Sequence, residues 1–225
     1  MNKTLWRLGL LELAYWVPAR LLNHYYHGSA LSEELIWTAF RIISIVLVYC
    51  CLKDVIWPPD DKPAVRIGFL ALIASVVVVI VAALKADIHF KYPVNFVFAV
   101  TSLAVGLREE MVYRGVLQKV LATRYGLPAA LLISNIFFIF YHFGAQPFTP
   151  YNVVQFFVMG TIQGLLYHQT RSLLFVSGVH AAYDAIECFS PYLSKPISST
   201  VALSALSTVM LALVIKSATT RPKTA

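Results

Sequence analysis

The sequence predicts an all-α fold, a polytopic membrane helix bundle of about eight transmembrane helices. Of its 225 residues, 59% are apolar and only 13% are charged, which is outside the range of soluble globular domains. Apolar runs of about 20 residues, the length that crosses a bilayer as a helix, recur along the chain. Charged residues and prolines are concentrated between these runs, where loops are expected.

Eight such runs can be placed, and helix-breaking residues occur at their ends. The second run is closed by "WPPDDKP", Pro128 suits the first turn of the fifth, and "GAQPFTP" separates the fifth from the sixth. The third run, "LIASVVVVIVAAL", is the most apolar and the first run is the least. The runs cover residues 5–22, 35–52, 66–84, 93–121, 128–143, 151–168, 171–187 and 199–216.

The positive charge of the chain is interpreted as a topology signal. Lys and Arg number 18 against 11 Asp and Glu, a formal net charge of +7, but no basic patch with interleaved aromatics points to nucleic acid. With eight spans both termini share one side, which carries eleven basic residues against four: Lys3, Arg7, Lys53, Lys62, Arg66, Lys119, Arg124, Arg171, Lys216, Arg221 and Lys223, against Arg20, Lys85, Lys91 and Lys195. The positive-inside rule therefore predicts a multi-pass protein of the cell membrane with both termini in the cytoplasm.

The fourth run contains the charged stretch "LREEMVYRG". An ionisable group at the centre of a bilayer costs about 2.5–3.5 kcal/mol on insertion scales, so a partner or a function must compensate it. Glu110 and Arg114 are four residues apart and can pair on one helix face, whereas Glu109 points about 100° away and Arg108 lies on another face. The alternative is that the span ends near Leu107 and the charges belong to a solvated extension of the helix.

Two later runs carry histidines at helical spacing from a second residue of interest. His142 comes four residues after Phe138 in "FFIFYHFG", and His180 comes four before Asp184 in "VSGVHAAYDAIE". A lone histidine in an apolar helix most often bonds a neighbouring helix and does nothing more. Polar groups on three separate helices instead favour a shared site, in which Asp184 could orient the imidazole of His180.

The order Glu-Glu-x-x-x-Arg, Phe-x-x-x-His and His-x-x-x-Asp resembles the CPBP family, the CAAX prenyl endopeptidase type II and bacteriocin-processing (Abi) intramembrane proteases. The resemblance covers roughly residues 94–187. It implies a division into N-terminal transmembrane helices 1–3 in residues 1–92, a catalytic core of helices 4–7 in 93–190, and a last helix with a short tail in 191–225.

The resemblance also implies roles for individual residues. Glu109 would activate a water molecule, with Glu110, Arg114 and Phe138 in support, and His142 would help to hold the water. His180 and the residue four positions later would stabilise the oxyanion. Most relatives have Asn at that later position; Asp184 would have to be protonated or paired with His180 to donate a hydrogen bond.

Hydrolysis of an amide requires a general base and hydrogen-bond donors aimed at the developing oxyanion, which these residues supply. The expected activity is therefore that of an intramembrane endopeptidase. Glu109, His142 and His180 would also make a plausible zinc site with two histidines and one carboxylate, but no HExxH motif presents two ligands on one helix. A metal-free glutamate mechanism is favoured, and zinc remains the alternative.

The expected substrate is a membrane-tethered protein or peptide, processed at a C-terminal tail or a sorting signal. No element for recognising a prenylated cysteine can be identified, and the site is expected at the membrane midplane or opening outward. Two other classes stay open: a non-catalytic peptide-binding or immunity protein of the same fold, and a proton-coupled transporter. A transporter would show two related halves, whereas the buried ionisable candidates other than Arg41 fall in the second half.

Overall fold

The computed structural model describes residues 2–57, 93–143 and 148–189, together with Thr208 and Ala212. The all-α prediction is confirmed, because the three ranges form six α-helices and one π-helix and contain no strand. The predicted third run lies outside the described residues, as does nearly all of the eighth. The elements are α1 (Asn2–Tyr25), α2 (Ala30–Ile56), α3 (Pro93–Glu110), π1 (Met111–Gln118), α4 (Lys119–His142), α5 (Pro150–Thr170) and α6 (Leu173–Phe189).

Two segments among these are long and apolar enough to cross a membrane, Ala30–Ile56 and Val97–His142. Large apolar side chains also face outward along α1 and α2, as they do on helices surrounded by lipid; they include Leu10, Leu13, Val17, Leu21, Ile42, Ile43, Val46 and Leu47. A total of eight spans stays a prediction.

Local sequence explains where the helices begin and break. Ser29 caps α2 by accepting a hydrogen bond from the backbone N–H of Ser32, and Thr149 caps α5 in the same way. The predicted boundary between the fourth and fifth runs is a break within α4 at Gly126, whose φ of +76° is readily adopted by glycine alone. Pro128 follows two residues later, as expected for the start of the next helical segment.

The fourth run differs from the single regular α-helix expected from its sequence. It continues from α3 through π1 into the first turns of α4, so that an eight-residue π-helix begins directly after Glu110. A π-helix changes which side chains share a face, and such segments are frequent at functional sites. All but one of the π1 side chains are buried, which is consistent with a position at the centre of the bundle.

The close contact between α3 and α6 positions the two helices that carry most of the candidate residues. It occurs at Gly106, where a Cβ atom would lie only 2.7 Å from the carbonyl oxygen of Ser177. A small residue is therefore required for this approach, as at many interfaces between membrane helices. The consequence is that Glu109 and Glu110, one turn further along α3, come next to His180 of α6.

Candidate active site

The sequence-predicted residues from α3, α4 and α6 lie together in the wall of one cavity of about 660 Å³. Glu109, Phe138, His142, His180 and Asp184 all line it. The cavity continues to the C-terminal end of α1 and the N-terminal end of α2, where its wall includes Arg20, Asn23, Ala30 and Glu33. It therefore links the interior of the bundle to one set of helix ends.

Glu109 is the carboxylate on which two imidazoles converge. Its Oε2 atom lies 3.9 Å from Nε2 of His142 and 3.8 Å from Nε2 of His180, and the residue is only 3% exposed. In the part of the chain that the structure describes, this oxygen has no hydrogen-bond partner. Separations of this size are too long for a direct hydrogen bond and suit one water molecule in contact with the carboxylate and an imidazole.

The ring of His180 is held by Glu110, a contact that the sequence did not predict. Nδ1 of His180 lies 2.7 Å from Oε1 of Glu110, and Nε of Arg114 lies 3.2 Å from the other carboxylate oxygen. Arg114 also donates from Nη2 to the carbonyl of Gly160 in α5, at 3.1 Å. The predicted pairing of Glu110 with Arg114 is thus present, and it links π1, α5 and α6 while Nε2 of His180 faces Glu109.

His142 is held by its own helix and by aromatic rings. Its Nδ1 lies 2.8 Å from the carbonyl oxygen of Phe138, which can only accept, so Nδ1–H is the donor. The imidazole stacks on Phe156 with a centroid separation of 4.3 Å, and Phe138 packs edge-on against it. Phe138 also lies under the guanidinium of Arg114, 4.7 Å from its Cζ, and so contacts both His142 and the arginine that pairs with Glu110.

Asp184 lies at the cavity wall beside His180. Its Oδ2 is 3.6 Å from Nε2 of His180, and its side chain is 27% exposed, the most accessible of the candidate groups. The Glu110 contact, which is almost an ångström shorter, is therefore the one that fixes the orientation of the imidazole.

The three candidate zinc ligands are spaced somewhat more widely than the donor atoms of an occupied tetrahedral zinc site. Donor atoms about 2.0–2.1 Å from a tetrahedral zinc ion lie roughly 3.3 Å from one another. The distances from Glu109 to His142 and His180 are longer, 3.9 and 3.8 Å. Within residues 2–57, 93–143 and 148–189, no group of three or more His, Cys, Asp or Glu side chains is arranged to hold a metal ion.

A second buried ionic group joins the N-terminal helices to the opposite face of α3. Arg108, only 1% exposed, pairs with Glu12 at 2.5 Å, and its guanidinium lies over the rings of Tyr15 and Tyr141. Glu34 of α2 is also buried. The expectation that Arg41 is the only buried ionisable residue of the first half is therefore wrong.

Glu34 belongs to a further polar cluster that lines the same cavity. It pairs with Arg41 at 2.5 Å and accepts a hydrogen bond from Thr101 of α3, also at 2.5 Å. Neither this cluster nor Glu12 has a sequence motif. Their partners are distant along the chain, and the only available signal was the cost of leaving a carboxylate unpaired in an apolar helix.

Comparison with known proteins identifies one family. The family model described as type II CAAX prenyl endopeptidase, Rce1-like, matches residues 69–186, which is more than half of the chain. No curated protein and no solved structure matches the chain. The matched segment contains every candidate residue predicted from the sequence, namely Glu109, Glu110, Arg114, Phe138, His142, His180 and Asp184.

Proposed function

Because the chain belongs to the Rce1-like family of type II CAAX prenyl endopeptidases, we propose that it is an intramembrane endopeptidase in which Glu109 activates water. Its substrate would be a membrane-tethered protein or peptide. The observation that carries the proposal is the position of Glu109 Oε2, buried in the cavity wall and just under 4 Å from two imidazole Nε2 atoms.

In the first step, Glu109 removes a proton from a water molecule while the oxygen attacks the carbonyl carbon of the substrate. His142 holds this water from its Nε2, since its Nδ1 is engaged by the carbonyl of Phe138. General-base catalysis of this kind contributes about 10²- to 10⁴-fold to the rate.

As the water attacks, the charge that develops on the carbonyl oxygen is stabilised by His180. Because Glu110 accepts from Nδ1–H, a His180 that carries both ring protons presents Nε2–H to the oxyanion. Asp184, beside that nitrogen, stabilises this form of the ring. The C–N bond then breaks, and the proton taken up by Glu109 passes to the leaving nitrogen.

We propose that this reaction proceeds without a metal ion. The spacing of Glu109, His142 and His180 supports this, since it is wider than a tetrahedral zinc site requires. Incubation of the purified protein with a strong chelator, followed by removal of the chelator and metal analysis, should leave cleavage unchanged. Loss of activity that zinc restores would show that these residues bind a catalytic metal.

The substrate is proposed to enter from the side at which α1 ends and α2 begins. The cavity reaches that end of the bundle, and with eight spans the distribution of basic residues favours the non-cytoplasmic face for it. Ser29 caps α2 at this end of the bundle, so a label attached at position 29 shows on which side of the membrane this end lies. A cysteine introduced there, in a variant without native cysteines, should react with an impermeant thiol reagent added to intact cells; protection until the membrane is opened would reverse the orientation.

The proposed activity is tested by comparing protein termini in cells that carry the intact chain or the Glu109→Gln variant. A small set of new termini, found only with the intact chain, is expected among membrane and secreted proteins, and it would identify the substrate. Asp54→Asn is the matched control, because Asp54 is an exposed carboxylate outside the cavity. Identical termini for both forms at equal abundance in the membrane would favour a binding or transport protein instead.

A further inference from the structure

Gln163 of α5 is a buried polar side chain that the reaction described above does not use. It is 2% exposed, and it lines the same cavity as Glu109 and His180. Among the described residues, neither Oε1 nor Nε2 of its carboxamide has a hydrogen-bond partner. At least nine in ten buried polar groups in proteins are hydrogen-bonded, and each one that is not costs about 1–3 kcal/mol.

The neighbouring polar groups of α5 have partners, so Gln163 is not simply part of a loosely packed helix. The carbonyl of Gly160 accepts from Arg114, and the carbonyl of Gly164 accepts from Gln118. Gln155, two turns earlier on the face that lines the cavity, donates to the hydroxyl of Tyr183 at 2.6 Å. Gln163 is therefore the exception on this face, and it is one of the residues that line the cavity in which the substrate would lie.

We propose that Gln163 binds the backbone of the substrate peptide. Its Nε2 would donate to a peptide carbonyl and its Oε1 would accept from a peptide N–H. A carboxamide presents a donor and an acceptor in one plane, which is the complement of an amide group; an anionic ligand would satisfy the donor alone, and a lipid chain neither. This inference rests on the proposed function, and it makes Gln163 a substrate-binding residue on the wall formed by α5.

A binding role and a structural role for Gln163 predict opposite effects on stability. If the carboxamide has no partner until the peptide binds, an apolar side chain of similar size should leave the free protein equally or more stable, because an unsatisfied polar group is removed. The same change should lower kcat/KM, because the substrate loses a binding contact. A structural glutamine would instead destabilise the protein when it is replaced.

The test compares Gln163→Leu with Gln118→Leu. Gln118 is the matched control, since it is also 2% exposed but donates to Gly164 and is not part of the cavity wall. The probe is a quenched fluorescent peptide that ends in a prenylated cysteine followed by three residues, the form named by the family. We expect Gln163→Leu to lower kcat/KM roughly tenfold or more with an unchanged or raised Tm, and Gln118→Leu to lower Tm with little effect on kcat/KM.

Peptides in which single amide groups are replaced by esters provide the second measurement. An ester at one position should reduce cleavage by the intact chain but should make no further difference to Gln163→Leu, because the N–H that is removed is the one that Gln163 binds. Equal kcat/KM for the intact chain and Gln163→Leu would overturn the inference and leave the proposed function standing. The same conclusion would follow if Gln163→Leu had a lowered Tm and were as sensitive to every ester as the intact chain. No cleavage of any peptide by the intact chain, together with no new termini in cells that carry it, would overturn both.

Discussion

Arg108 and Arg114 lie on one continuous helix, and each is only 1% exposed, yet they face different halves of the molecule. Arg114 pairs with Glu110 of the same continuous helix, which contacts His180 of α6, and it donates to Gly160 of α5. Arg108 faces α1 and α2, where it pairs with Glu12 and lies over tyrosine rings. Residue type and burial are the same, and only the partners differ.

The partners determine what each arginine contributes. Glu110 is completely buried and also binds His180, so Arg114 neutralises a carboxylate that positions a candidate catalytic ring. The side chain of Glu12 is 22% exposed, against 0% for that of Glu110. We therefore expect the contacts of Arg114 to control both activity and stability. The contacts of Arg108 should control stability alone.

The largest effect is expected from Arg114→Met. Glu110 would be left as a buried carboxylate without its guanidinium, and breaking a buried pair in this way costs about 3–5 kcal/mol. Cleavage by the protein that remains folded should fall by roughly 100-fold or more, because the orientation of His180 depends on Glu110. Thermal unfolding in detergent and cleavage of a fluorescent peptide measure the two effects.

A double substitution separates charge from geometry at this pair. Glu110→Gln combined with Arg114→Met removes both charges, so part of the lost stability should return while activity should not. Recovery of activity in the double variant would mean that Glu110 does not position His180.

The next largest effect is expected from Gly106→Ala, at the contact that brings α3 against α6. The added methyl group would meet the backbone of Ser177, so α6 must shift, at a cost of about 1–3 kcal/mol. A shift of this kind separates Glu109 from His180 and should reduce kcat by up to about 100-fold. Gly115→Ala is the control, because a Cβ there would make only ordinary contacts of 3.6 Å; equal loss of kcat in both variants would refute the role of the close approach.

Arg108→Met should lower the free energy of unfolding by about 2 kcal/mol, which is less than the loss expected for Arg114→Met. The variant loses an ion pair and the cation–π contacts with Tyr15 and Tyr141, but the carboxylate that is left behind is partly exposed, unlike that of Glu110. Cleavage per folded molecule should stay within a fewfold of the intact chain. A loss as deep as that of Arg114→Met would show that the two sides of the helix are not separate.

The features that could be predicted from the sequence are those with a local cause. Helical spacing placed Glu110 on the face of Arg114, and His180 on the face of Asp184. The apolar runs predicted an all-helical bundle, and Pro128 marked the start of the helical segment that follows the break in α4. Each of these depends on residues within a turn or two of one another.

The features that could not be predicted depend on packing between distant helices. His180 and Glu110 are 70 residues apart, and Arg108 and Glu12 are 96 apart, so no periodicity pairs them. The π-helix begins within the charged stretch without a local sequence signal, and Gln163 is one of several polar residues that could either line a cleft or join two membrane helices. Only its position in the cavity wall, with both amide atoms unbonded within the described ranges, distinguishes it.

The smallest effect is expected from Tyr15→Phe on the Arg108 side. The hydroxyl of Tyr15 is 3.4 Å from that of Tyr141, a long hydrogen bond, whereas its ring lies 3.9 Å from Cζ of Arg108. Phenylalanine keeps the ring, so the free energy of unfolding should change by less than about 0.5 kcal/mol, against about 1–2 kcal/mol for Tyr15→Leu, which loses the cation–π contact.

Activity in the two Tyr15 variants tests the division between the halves most stringently, because Tyr15 both contacts Arg108 and lines the cavity. If the α1 side acts through stability alone, both variants should cleave peptide at the rate of the intact chain once the folded fraction is taken into account. A fall in kcat/KM with Tyr15→Phe, without a fall in Tm, would mean that this hydroxyl contacts the substrate and that the active site extends onto α1.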